Sequence, residues 1–212
     1  ATNSRRNLKP DSFKKCAQYI KETVRKTDTH IRSVEIAMLG DIFDPLLSDL
    51  WYTTTLRPWS KETDRDAEGR TKREVVTAIM REICDDTVNR ESLGYLTSLK
   101  DQLDVPVEFS YILGNHDALV GDYPETRVMA AELLGVDDPQ QYATAPLPLQ
   151  KIWPEYRALG RHGHSLDPFA EPGGPTLGDA IVIDLVGKFP RLMADDPRID
   201  AELLAQIQEI EF

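Results

Sequence analysis

The chain has 212 residues and a formal net charge of −11, and hydrophobic residues make up 41% of it. This composition predicts one globular domain with an insertion, or two small domains, and excludes a globally disordered chain. The acidic surface repels nucleic-acid backbones, so non-specific binding to DNA or RNA is not expected. No stretch approaches the ~20 apolar residues of a membrane span. We therefore predict a soluble cytoplasmic protein without a membrane span.

The first predicted element is an amphipathic helix that begins near Asp11 and ends near Arg25. Its apolar residues recur at spacings of three and four, which places them on one buried stripe. The stripe comprises Phe13, Cys16, Ile20 and Val24.

A strand and a long helical region follow. Residues 31–39 (IRSVEIAML) predict a strand buried on both faces, because its end is nearly continuous in apolar residues. A short helix is predicted over 44–52 and a polar loop over 53–69. The next helical region spans 71–103, with a break expected near Gly94 because glycine weakens helix interiors.

The second half of the chain repeats this alternation. Strands are predicted over 105–113 (VPVEFSYIL) and 155–164 (EYRALGRHGH), with a helix over 124–134 between them. Helices are also predicted over 176–193 and 200–212. Alternating helices and strands favour an α/β layered domain. Sites in such domains form beyond the carboxyl ends of the strands, and all three predicted strands end at glycine-containing polar motifs.

Two of these motifs follow the first two strands. In GDIFD, Asp41 would project from a strand tip, where a carboxylate suits a divalent cation, although Gly-Asp after a strand is often only a turn. In GNHD, the amide of Asn115, the imidazole of His116 and the carboxylate of Asp117 follow one another. The alternative there is an Asx turn with a surface histidine.

The third motif is RHGHSLD, which contains His162 and His164. Residues two apart in an extended segment face the same way, so the two imidazoles could bind a transition metal. The alternative is a pair of solvated loop histidines. Three of the four histidines lie in motifs at strand ends. His30 has no such context and is predicted to be a surface residue.

These motifs, in this order, resemble a known family. GDIFD followed by GNHD resembles the second and third signature blocks of the calcineurin-like metallophosphoesterases, and RHGHSLD resembles their fourth block. The resemblance covers roughly residues 31–190. Within the family, this stretch is similar to bacterial enzymes that cleave UDP-diacylglucosamine. It implies a layered metallophosphoesterase-like β-sheet core flanked by helices.

The chain departs from the family pattern in two blocks. No Asp-x-His triplet follows a predicted strand before Gly40, since Asp28-Thr29-His30 precedes one, and arginine replaces the first glycine of the last block, Gly-His-x-His. The sequence thus predicts a partial metallophosphoesterase-like core over 1–212 and favours a piece of a longer protein over a degenerate one. The interval between the second and third blocks is long, so 53–100 is predicted to be a helical cap or insertion. Such a cap could cover the site, select substrate or form the interface of a homo-oligomer.

The resemblance implies a site with two divalent metal ions, namely Mn, Fe or Zn. Asp41 would bridge the metals, and Asn115 and His162 would bind one of them. His164 is an alternative ligand. His116 would contact the phosphate and protonate the leaving oxygen.

The function implied is hydrolysis of a phosphomonoester, phosphodiester or pyrophosphate in a small phosphorylated substrate, by attack of a metal-bound hydroxide. Asp44 and Asp117 are predicted to contact the metal ligands and orient them without binding the metal. The alternative for both is a structural role in a turn or helix cap. The competing hypothesis for the whole chain is a non-catalytic phosphoesterase-like scaffold that binds a protein partner.

Overall fold

The computed structural model describes residues 9–27, 30–167 and 176–194, and helices and strands are mixed within them. The strands are Val34–Leu39 (β1), Val107–Ile112 (β2), Gln150–Trp153 (β3) and Ala158–Arg161 (β4). The helices are Pro10–Lys26 (α1), Leu50–Thr53 (α2), Lys72–Asp85 (α3), Thr87–Thr97 (α4), Leu99–Gln102 (α5), Ala118–Asp122 (α6), Pro124–Leu133 (α7), Leu177–Ala180 (α8) and Lys188–Ala194 (α9). A π-helical segment, Ile181–Gly187, joins the last two. None of these helices is long and apolar enough to cross a membrane.

The central feature is a parallel pair formed by β1 and β2, with Val34 opposite Val107 and Leu39 opposite Ile112. One face of the pair contributes Met38, Phe109 and Tyr111 to the larger hydrophobic core. The second pair, β3 and β4, is an antiparallel hairpin that belongs to a separate sheet. This mixture is compatible with the predicted α/β class, and the layered metallophosphoesterase-like core remains a prediction. The helix predicted over 200–212 lies outside the described residues.

Two details of the strand predictions are wrong. In β1 only Met38 is buried, because β1 has a strand partner on one side only within the described sheets. The third strand is shorter than predicted, and its partner β3 was not predicted. The chain turns between them through a short 3₁₀ segment and Arg157, whose φ of 50° lies in the left-handed region.

Helix α1 forms as predicted, but its buried stripe differs by one residue. Ala17 is buried and Phe13 and Ile20 pack against the core, whereas Cys16 is exposed. A spacing of four then seven residues from Phe13 keeps the stripe on one face of a 3.6-residue helix. The sequence-based stripe included Cys16, three residues after Phe13, and Cys16 faces solvent.

The predicted helix break near Gly94 is displaced to Ser98, between α4 and α5, and an earlier break between α3 and α4 was not predicted. The helical region is interrupted at Asp86, whose side chain accepts hydrogen bonds from the backbone N–H groups of Val88 (2.9 Å) and Asn89 (3.0 Å) and so caps α4. Gly94 lies inside α4. A cap offsets the cost of restarting a helix, whereas one interior glycine costs only ~1 kcal/mol.

The segment predicted to be a cap or insertion, 53–100, shares the hydrophobic cores of the described chain. Helix α3 packs against α7 and buries Val75, Val76, Ile79 and Met80, while α4 packs against α1. Trp51, just before this segment, is completely buried and donates to the carbonyl of Pro45 at 2.7 Å. Its role is therefore packing. The insertion itself remains a prediction.

Candidate metal centre

The carboxyl ends of β1 and β2 lie so close together that each must be followed by glycine. A Cβ on Gly114 would lie 2.3 Å from Oδ1 of Asp41, and a Cβ on Gly40 would lie 2.6 Å from Nδ1 of His162. Gly40 also has a φ of 83°, which glycine adopts without steric cost. The two glycines therefore allow three separate chain segments to meet at one point.

Asp41 occupies the centre of this meeting point. Its backbone is left-handed, with a φ of 53°, a region that aspartate visits more readily than most residues. One carboxylate oxygen, Oδ1, accepts a hydrogen bond from the backbone N–H of His116 at 2.9 Å. The other, Oδ2, lies 3.0 Å from Nε2 of His162. The carboxylate thus links the segment after β1 to the other two.

His162 is held by both of its ring nitrogens. Nδ1 lies 2.8 Å from the carbonyl oxygen of Leu39. Because a carbonyl only accepts, Nδ1 must carry the hydrogen. Nε2 then faces Oδ2 of Asp41 at 3.0 Å and Oδ1 of Asn115 at 3.1 Å. The predicted meeting of a carboxylate, an amide oxygen and an imidazole is therefore observed, and the role of each group remains a prediction.

The chemistry of these three atoms fits a cation. Both oxygens are acceptors, and a neutral His162 with its hydrogen on Nδ1 presents a lone pair from Nε2. Such a set needs positive charge among its members, supplied either by a proton on Nε2 or by a metal ion. Nε2 lies 3.0 Å from Oδ2 of Asp41 and 3.1 Å from Oδ1 of Asn115, which are ordinary hydrogen-bond separations.

The set of Asp41, Asn115 and His162 contains only one carboxylate. Within residues 9–27, 30–167 and 176–194, no group of three or more His, Cys, Asp or Glu side chains is arranged to hold a metal ion. The three converging groups include one carboxylate and one imidazole, and the third is an amide. Binding of a metal ion by these three groups therefore remains a prediction.

His164 lies beside this set. Its ring centroid is 5.4 Å from that of His162. The side chain is buried, and its Nδ1 has no hydrogen-bond partner in the described structure. Burial lowers the pKa of His164, and the neighbouring His162 lowers it further, so the imidazole is neutral near pH 7. A buried neutral imidazole with an unpaired nitrogen retains the capacity to bind a cation.

His116 points its side chain at a different partner. Nδ1 lies 3.2 Å from Oδ2 of Asp44. This hydrogen bond raises the pKa of His116 to about 9 despite the opposing effect of burial, and the negative charges of Asp41 and Asp179 add to the shift. The imidazole is therefore protonated near neutral pH. A protonated imidazole beside the candidate metal set can donate a proton to a leaving group.

Replacing Asp44 with asparagine is expected to lower the pKa of His116 from about 9 toward its ordinary value of 6.5, because the main cause of the shift is removed. Since the folded-state pKa is raised, the pair stabilises the fold fully below pH 6.5 and loses that contribution as the pH rises through 9. NMR titration of the metal-free protein measures this directly. An Asp44→Asn variant whose His116 still titrates near 9 would show that Asp44 is not the cause.

Asp117 connects the two glycine turns from the protein interior. It is completely buried, and Oδ1 accepts from the backbone N–H of Gly114 at 2.6 Å. Oδ2 accepts from the backbone N–H of Ile42 at 3.3 Å and from the hydroxyl of Tyr111. Burial raises the pKa of Asp117. The carboxylate thus fixes the turn after β1 relative to the turn after β2.

The sequence did not single out several residues that surround the site. Tyr111 and the carbonyl of Leu39 hold Asp117 and His162, and Asp179 of α8 contributes to the field at His116. His30 is exposed, as predicted.

Comparison with known proteins gives no relative: no family model, curated protein or solved structure matches this chain.

Proposed function

We propose that the chain carries the site of a metal-dependent phosphoesterase built on a calcineurin-like layered core. The single observation that carries this proposal is the contact of His162 with both Asp41 and Asn115. These residues come from three motifs whose order in the sequence resembles that family. Parallel pairing alone brings GDIFD and GNHD to one edge, but a coincidental resemblance would give no reason for RHGHSLD, which follows a strand of a separate sheet, to reach the same point.

In this proposal, Asp41, Asn115 and His162 hold a divalent ion such as Mn, Fe or Zn, and His164 is a reserve ligand beside them. A bound divalent metal supplies a Lewis acid that polarises phosphoryl oxygens and makes water a better nucleophile. Asp41 is also available to a second metal, which needs further ligands in addition to the described set.

His116 acts as the proton donor. Its backbone N–H is bound to Asp41 at 2.9 Å, so the residue is fixed relative to the metal set. Its imidazole is held by Asp44 in the protonated form. The leaving oxygen of a small phosphoester placed between the metal set and this ring would receive its proton from His116.

Both cysteines are free thiols, which supports the proposed cytoplasmic location.

A second candidate is a phosphoesterase-like scaffold that binds a protein partner. It is favoured by one observation: the part of the chain that the structure describes holds no group of three His, Cys, Asp or Glu arranged around a metal position. In that case Nε2 of His162 would carry a proton and the three converging side chains would serve only as a structural hydrogen-bond cluster.

The test is hydrolysis of bis(p-nitrophenyl) phosphate with and without Mn²⁺. We expect activity that requires the metal and falls about 10²- to 10⁴-fold in His116→Gln, the usual contribution of general acid catalysis. Affinity for Mn²⁺, measured by calorimetry, should be unchanged in that variant. His30→Gln is the matched control because His30 is exposed and precedes β1, whose opposite end leads to Asp41. Hydrolysis that persists in chelator, or that is unaffected in His116→Gln, would contradict the proposal.

A further inference from the structure

The hairpin of β3 and β4 positions His162, yet it is not part of the β1–β2 sheet. Arg161 at the end of β4 directly precedes His162, so the site geometry depends on how the hairpin is attached. Part of that attachment is apolar, because a Cβ on Gly160 would lie 2.7 Å from the ring of Trp153 and 3.1 Å from the side chain of Leu39. Close packing at Gly160 brings the hairpin against the end of β1.

The polar part of the attachment converges on Glu35 of β1. Its carboxylate accepts a hydrogen bond from Nε1 of Trp153 at 2.6 Å. It also accepts from Nζ of Lys151 and from the hydroxyl of Ser110. Lys151 in turn donates to the hydroxyl of Ser110 at 2.8 Å. One carboxylate therefore connects β1, β2 and β3.

The electrostatics of this cluster favour a charged carboxylate. Although burial opposes the effect, the hydrogen bonds from Lys151, Ser110 and Trp153 lower the pKa of Glu35. The Nζ of Lys151 also lies 5.5 Å from the centre of the Trp153 ring, within the range of a cation–π contact. Charge-assisted hydrogen bonds to a half-buried carboxylate are stronger and more directional than neutral ones.

The Glu35 cluster lies close to His162 along both the hairpin and β1. Lys151 pairs with Gly160 across the hairpin, and Gly160 is two residues before His162. Glu35 is four residues before Leu39, whose carbonyl oxygen binds Nδ1 of His162. The cluster and the His162–Leu39 hydrogen bond thus join the same two segments at two points.

We propose that Glu35 is a positioning residue, whose contacts with Lys151 and Trp153 fix the hairpin on β1 so that Nε2 of His162 reaches Asp41 and Asn115. The effect of Glu35 on metal binding depends on the function proposed above. Its effect on the placement of the His162 ring does not.

The first measurement concerns the metal-free protein. Long-range ¹H–¹⁵N NMR should show a hydrogen on Nδ1 of His162 that is protected from exchange by the carbonyl of Leu39. In Glu35→Ala we expect its exchange to be at least about tenfold faster, because the hairpin opens locally. Exchange of the β2 backbone amides should not change. Glu35→Gln, which keeps an acceptor for Trp153 but loses the charge, should fall between wild type and Glu35→Ala.

The second measurement is Mn²⁺ affinity by calorimetry. Removing a residue that orients a ligand typically costs 10- to 100-fold in affinity, so we expect about tenfold weaker binding in Glu35→Ala. Glu108→Gln is the matched control, because Glu108 is the exposed residue opposite Glu35 in β2. If Glu35→Ala fails to fold, Trp153→Phe removes one donor to Glu35, retains the aromatic ring, and should shift His162 exchange in the same direction.

The outcomes separate the two proposals. Unchanged His162 exchange in a folded Glu35→Ala or Trp153→Phe variant would overturn the positioning role, whatever the metal affinity. If the wild-type protein binds no Mn²⁺ but His162 exchange is faster in Glu35→Ala than in wild type, the positioning role is supported and the proposed function is contradicted. A change as large in Glu108→Gln as in Glu35→Gln would also overturn the assignment to Glu35.

Discussion

Under the proposed function, Asp41→Ala is expected to abolish Mn²⁺ binding and to reduce metal-dependent phosphodiester hydrolysis by about 10³-fold, because the metal would supply several kcal/mol of transition-state stabilisation. Asp41 is the only carboxylate in the three-atom set, and it contacts both of the other chain segments. Its loss removes the charge that makes the position attractive to a cation. Calorimetry measures the binding and an aryl phosphodiester assay measures the rate.

Two variants separate the loss of charge from the loss of structure. Asp41→Asn keeps an oxygen for the backbone N–H of His116 and tolerates the left-handed backbone, so it should fold normally and still lose most of the metal affinity. Asp101→Ala is the control, since Asp101 is an exposed carboxylate on α5. Metal affinity in Asp41→Asn equal to that of Asp101→Ala would contradict the role of Asp41 as a ligand.

The second large effect concerns stability. Asp117→Ala is expected to lower the free energy of unfolding by about 3 kcal/mol, because a buried donor left without its acceptor costs about 1–3 kcal/mol. Two such donors would remain, the N–H of Gly114 and the hydroxyl of Tyr111, and both residues are buried. Urea denaturation followed by tryptophan fluorescence measures the change.

Tyr111→Phe provides the comparison for Asp117→Ala. It removes one donor to Asp117 and leaves the carboxylate bound to the backbone N–H groups of Gly114 and Ile42. We expect a loss of about 1 kcal/mol, the usual net contribution of one hydrogen bond. Equal effects of the two substitutions would show that the backbone contacts of Asp117 contribute little to stability.

The part of the site that could be predicted is local in sequence. Apolar runs that end at Gly40 and Gly114 indicate strands followed by sharp turns, and parallel strands bring their carboxyl ends to the same edge. Those two facts are enough to bring GDIFD and GNHD together. The carboxylate of Asp117 accepts from the backbone of both turns, as in the turn-residue alternative that the sequence left open, and its predicted effect on the ligands remains a prediction.

The rest of the site depends on long-range packing that no local pattern contains. The hairpin partner β3 has only four residues, and its two polar residues are followed by two apolar ones, so its sequence lacks the alternation that indicates a strand. The attachment of that hairpin through Glu35 joins residues more than 100 positions apart. The position of the helix break at Asp86 was decided by a side-chain cap, which competes with the weak helix preference of Gly94.

The most direct test of a shared cation is the anomalous difference density of crystals soaked in Mn²⁺. The proposed site requires a peak within about 2.3 Å of Asp41 Oδ2, Asn115 Oδ1 and His162 Nε2, the range of oxygen and nitrogen ligands to divalent ions. The three side chains come from the ends of β1, β2 and β4, so a single peak would identify them as one ligand set. Crystals that bind Mn²⁺ only elsewhere, with Nε2 of His162 hydrogen-bonded directly to Asp41, would contradict it.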